Sequence, residues 1–65
     1  SLTDSQWISL MTKAGQLGSD MDKASLLQEI AQKMPRTGNL KAAYLSVAKT
    51  ITNDPDYGKA VRAVE

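Results

Sequence analysis

The 65-residue chain has no cysteine, no histidine and no phenylalanine. Without cysteine no disulfide can cross-link it, and without cysteine or histidine the usual nitrogen and sulfur ligands of a structural zinc are missing. A domain this small buries only about 60% of the surface its unfolded chain exposes, so packing alone must hold a thin stability margin. With no Phe, one Trp and two Tyr, the core has to come from Leu, Ile, Val, Met and Ala. That set favours helices over sheet. No apolar stretch approaches the roughly 20 residues that span a bilayer, and the N-terminal residues have neither the basic flank nor the apolar centre of a signal peptide. The absence of cysteine fits cytosol and periplasm alike, so the compartment stays open.

Charge of one sign is lacking too. Eight basic and seven acidic residues give a net +1 and are scattered, so no Lys/Arg run exists to neutralise several phosphates together. Nucleic acid is not the expected partner.

What is present is helical punctuation and periodicity. Thr3 and Gln6 have capping-box spacing, and Leu2 and Trp7 occupy the positions of a hydrophobic staple, so a first helix is expected to begin at Thr3. Trp7, Leu10, Met11, Ala14 and Leu17 then recur at three- and four-residue steps on one face, and Gly18 is expected to end the helix in a left-handed conformation. Asp20, or Ser19 with Asp22, caps a second helix carrying Leu26, Leu27, Ile30, Ala31 and Met34. Pro35 stops that helix, and Pro35 to Asn39 reads as a loop in which Gly38 serves as a stop. A third helix places Leu40, Ala43, Tyr44, Val47, Ala48 and Ile51 on a stripe that Ala42 and Leu45 widen. Asp54 is the expected cap of a fourth helix, with Pro55 at its first position and Tyr57, Ala60, Val61 and Val64 facing inward. Gly58, just inside this helix, either permits close packing or costs helix stability.

Sliding the chain against itself superposes Asp20 on Asp54, an offset of 34 residues. At the same offset Leu10 meets Tyr44, Met11 meets Leu45, Ala14 meets Ala48, Leu17 meets Ile51, Leu27 meets Val61 and Ile30 meets Val64. Agreement of apolar positions and turn together is the pattern of helical-pair repeats, with units at about residues 5–34 and 39–65; two ordinary hairpins sharing capping chemistry are the rival. Tyr44, Val47, Ala48, Ile51, Ala60 and Val64 fall at the large, large, small, large, small and large positions of a tetratricopeptide repeat, which the second unit resembles, and Pro55-Asp56-Tyr57 resembles its turn. Lys13 and Leu26 depart from that pattern in the first unit. The string Leu17-Gly18-Ser19-Asp20-Met21-Asp22-Lys23-Ala24 before Leu26-Leu27, echoed from Ile51 to Tyr57, resembles the short HEAT-like repeats of bacterial envelope sensors and antirepressor metallopeptidases. The resemblance implies an interaction or scaffolding repeat; a metallopeptidase site would need histidines that are absent.

Catalytic and cofactor chemistry find little footing. Without His or Cys nothing pairs a nucleophile with its activator, and Gly15, Gly18 and Gly38 are too dispersed for a phosphate loop. Asp20 with Asp22, and Asp54 with Asp56, invite a calcium reading. However, Gly58 and Lys59 stand where an EF-hand loop needs a fifth-position oxygen ligand and a sixth-position glycine. Capping the first turn's free N–H groups is the simpler role for the aspartates. Neither enzyme activity, metal nor cofactor is expected.

The expected fold is therefore all-α: four helices in two antiparallel hairpins forming a short αα-repeat within one domain spanning residues 1–65. Two units are fewer than the roughly three such arrays usually need, so the chain is expected to belong to a longer protein or to form a homo-oligomer. The expected function is a non-catalytic protein–protein interaction or scaffolding module, probing a protein or peptide partner or neighbouring repeats. The alternatives are a small helical DNA-associated domain, for which Lys41, Lys49, Lys59 and Arg62 are spread over two helices, and a structural spacer. If the helices stack as a solenoid, Ile8, Met11, Ala42, Leu45 and Lys49 share its concave side and form the partner face. If they close into a bundle, those residues are buried instead. Trp7 is either a core anchor or an interface hot spot.

Overall fold

In the computed structural model, which describes residues 2–65, the chain forms four α-helices and, among those residues, no strand. They are α1 (Asp4–Gly15), α2 (Asp20–Lys33), α3 (Gly38–Ala48) and α4 (Asp54–Arg62). The fold is all-α, as the composition and periodicity imply. Each helix starts at a polar side chain that accepts a first-turn N–H: Thr3, Ser19, Thr37 and Asn53. At α1 the capping box is complete, with the Gln6 N–H donating to Thr3 Oγ1 at 3.2 Å and the Thr3 N–H donating to Gln6 Oε1 at 2.8 Å.

Three details of punctuation differ from expectation. No residue has a positive φ, so Gly18 is not a left-handed cap. Helix α1 instead tightens at its end, where the N–H groups of Gln16 and Leu17 reach back three residues to Lys13 and Ala14, and a turn of that kind needs no glycine. Gly38 is the first residue of α3 rather than a stop, because Thr37 caps the helix earlier than the loop composition suggests. Asn53, not Asp54, caps α4, which moves Pro55 to the second helical position; the missing N–H is harmless there as well, since the first four have no intrahelical acceptor. Met34 is extended before Pro35, as the proline demands.

The helices pack in a specific pattern. The most extensive contacts are between α1 and α3 and between α2 and α4; α1 also touches α2, α3 touches α4, and α1 and α4 do not approach each other. A closed up-and-down bundle would bring its first and last helices together. Here the C-terminal end of α1 lies against that of α3, with Gly15 beside Val47 and Thr50. Helices α2 and α4 run side by side in the same direction: Asp20 bonds to Thr52 and Asn53, and one to two turns further on Gln28 bonds to the Lys59 carbonyl. These contacts agree with two helical hairpins laid next to each other.

The largest fully buried side chains are Met11, Leu27, Leu40 and Tyr44, and small residues fill the rest: Ala14, Ala24, Ala31, Ala48 and Ala60 are all buried. Tyr44 carries the one polar atom that this core must satisfy at depth. Its hydroxyl donates to the Ala60 carbonyl at 2.7 Å, an acceptor left free because the Val64 N–H turns to Val61 instead. Burial pushes the Tyr44 phenol up to about 12, against a weak opposing pull from Arg36.

Two predictions follow from this packing. Tyr44→Phe leaves the Ala60 carbonyl buried without a donor and should cost about 1–3 kcal/mol in urea unfolding. A Cβ at Gly15 would stand 2.9 Å from Val47 Cγ1, a branched atom with little room to move. Gly15→Ala should therefore destabilise by about 1 kcal/mol, the clash outweighing the helix-propensity gain. A Cβ at Gly58 meets only the flexible end of Arg62, so Gly58→Ala should raise stability by about 0.5–1 kcal/mol in the same assay.

Candidate interaction surface

The six residues expected to meet a partner do not form one face. Met11 is 0% exposed, a correction to its expected place on a concave side. It shares α1 with apolar side chains on a broad stripe, and the neighbouring α3 covers that part of the helix completely. Ile8, Ala42 and Lys49 are exposed, and Leu45 is half-buried against the core. Trp7 is also half-buried, but it lines an apolar cavity of about 350 Å³ together with Leu2, Leu10, Leu26 and Ile30. None of the other five lines this cavity.

The cavity was not anticipated, because Leu10 and Leu17 share the inner stripe of α1 and read as core. Leu10 is 39% exposed and Leu17 38%. Their partners 34 residues on behave differently: Tyr44 is fully buried and Ile51 nearly so. The same holds for Leu26, half-buried, against Ala60, fully buried. Other pairs reverse the sense. Met11 and Leu27 are fully buried, whereas Leu45 and Val61 are only half-buried. Corresponding positions relate to their own helical pair in the same way, so the differences report which side of each pair a neighbour covers. The first pair is covered where Met11 and Leu27 lie and bare around Leu10; the second is covered where Tyr44 and Ala60 lie and less covered around Leu45 and Val61. The 34-residue offset contained this signal, but only once the pairs were known to lie side by side.

Polar contacts mark the same joint. Asp20 Oδ2 accepts the backbone N–H groups of Thr52 at 3.1 Å and Asn53 at 2.9 Å, and the Thr52 hydroxyl at 2.9 Å. Lys23 Nζ stands 3.9 Å from Asp20 Oδ1 and donates to the Thr50 carbonyl at 3.2 Å. The Asp20 carboxylate thus secures the start of α4 to the start of α2, a role beyond the capping expected of it. The hydrogen bond from Asn53 above all, then those from Thr52 and the nearby Lys23 charge, hold this carboxyl below the usual carboxylate range.

A second, more polar groove of about 520 Å³ lies between α2 and α4, lined by Gln28, Gln32, Lys59, Arg62 and Ala63. It gathers two of the four cations weighed for a DNA-associated reading; Lys41 and Lys49 sit on α3. Among the described residues no three acidic side chains stand together as metal ligands, and no helix is long and apolar enough to cross a membrane. Comparison with models of protein families, with curated proteins and with solved structures finds no match.

Because the Asp20 carboxyl is more acidic in the folded chain than in the unfolded one, its contribution to stability is complete above the ordinary carboxylate value of about 4 and is lost as pH falls through its lower folded value. Asp20→Asn should melt below the wild type at pH 7, and the gap should close on acidification. Thermal melts followed by circular dichroism across that range measure it; a gap that persists at low pH would show that charge on Asp20 is not what holds the joint.

Proposed function

We propose that the chain is a non-catalytic protein-interaction module, made of two units of a short helical repeat of the HEAT-like or tetratricopeptide-like kind. One observation carries the reading: the apolar cavity around Trp7 and Leu10 occupies, on the first helical pair, the positions that the second pair buries against its neighbour. A surface that the fold itself uses for packing helices is left open to another helical protein. The absence of contact between α1 and α4 supports an open stack over a closed bundle. An exposed apolar patch with an aromatic at its centre is also the composition of an interface hot spot.

The site named by this reading lies at the end of the stack, not on the face expected to hold Ile8, Ala42, Leu45 and Lys49. The test compares the two. Leu10→Glu and Ala42→Glu both alter exposed side chains and should keep the wild-type circular dichroism spectrum. Immobilised wild-type chain and Ala42→Glu should retain the same protein, and Leu10→Glu should lose it. Loss with Ala42→Glu alone would move the site to the other face, and retention of nothing by any form would leave a structural spacer.

A further inference from the structure

The joint between the two helical pairs has two unlike halves, and each half is also present, uncovered, at an outer end of the chain. The covered halves are the side of the first pair bearing Met11, Leu27 and Asp20, and the side of the second pair bearing Tyr44, Ala60 and the Thr52 and Asn53 N–H groups. At the offset of 34 residues, the first half reappears on the second pair as Leu45, Val61 and Asp54, and the second half reappears on the first pair as Leu10, Leu26, Gly18 and Ser19. The apolar members of both outer halves are partly open to solvent. Their polar members are free: the Asp54 carboxylate accepts no hydrogen bond and the N–H groups of Gly18 and Ser19 donate none within the described residues.

We propose that a second copy of this chain occupies the cavity around Leu10, its Leu45 and Val61 face docking on the Leu10 and Leu26 face. The inference rests on the repeat reading above and extends it to a named partner. It is carried by continuity with the internal joint. Translating that joint by one chain sets Val61 toward the cavity as Leu27 faces the second pair, and it sets Asp54 of one copy against the Gly18 and Ser19 amides of the next, as Asp20 meets Thr52 and Asn53. Apolar and charged halves match in the same register. Because the two faces differ, the contact is head-to-tail, and each copy keeps one face open for another.

The experiment uses that polarity. Within the chain, the connecting loop supplies an effective concentration in the millimolar range, so sedimentation or light scattering of the purified protein should run from micromolar to about 1 mM. The wild-type average mass should rise past the dimer with concentration. Leu10→Glu blocks one face and Val61→Glu the other, so each alone should stay monomeric; mixed in equal amounts, they should form a dimer and stop there, since one sound joint remains. If circular dichroism shows Val61→Glu unfolded, Asp54→Ala replaces it, expected to weaken association about 10-fold through the lost charge-assisted bonds. A wild type that stays monomeric to the highest concentration overturns the proposal, as does a mixture no heavier than its components. Monomeric wild type that still retains a foreign protein through Leu10 would overturn self-stacking alone and leave the interaction module standing.

Discussion

Close approach of the helix backbones is the constraint on which this fold rests. A chain with no disulfide, no phenylalanine and few aromatics can gain cohesion only if many small contacts are made at short range, since each atom pair contributes about 0.1–0.2 kcal/mol. Alanines at 14, 24, 31, 48 and 60 and glycine at 15 let that happen. They lie where α1 meets α3 and where α2 meets its neighbours, and the larger Met11, Leu27, Leu40 and Tyr44 fill what the small residues leave. Tyr44 fits this economy by replacing a phenylalanine with a ring whose hydroxyl also satisfies a helix-end carbonyl.

The four helices and most of their boundaries were legible in the sequence because they depend on local chemistry. Thr3 with Gln6 fixes the start of α1 through bonds three residues apart, and Pro35 ends α2 by steric exclusion at Met34. The errors in punctuation came from choosing between adjacent residues able to do the same task, as with Asn53 and Asp54, or from reading glycine as a left-handed cap where a tightened turn sufficed. Such choices turn on fractions of a kilocalorie per mole.

The candidate surface was less legible for a different reason. Helical periodicity says which residues share a face but not which neighbour covers it. Leu10 and Met11 are adjacent on the same broad stripe, yet one is open and the other sealed, because α3 lies to one side of α1 and nothing lies to the other. The double role of Asp20 was hidden likewise: an aspartate in a first turn looks local, and its bonds to Thr52 and Asn53 exist only through the lateral placement of α2 and α4.

That each helix leans more on the helix two places along than on its own hairpin mate also bears on cooperativity. Neither hairpin encloses a core of its own, so the two are halves of a single thermodynamic unit, and partial opening of one exposes the heart of the other. Pro35, Arg36 and Thr37, which connect them, then act chiefly as a tether. They lower the entropic cost of bringing the halves together without themselves holding the halves in place.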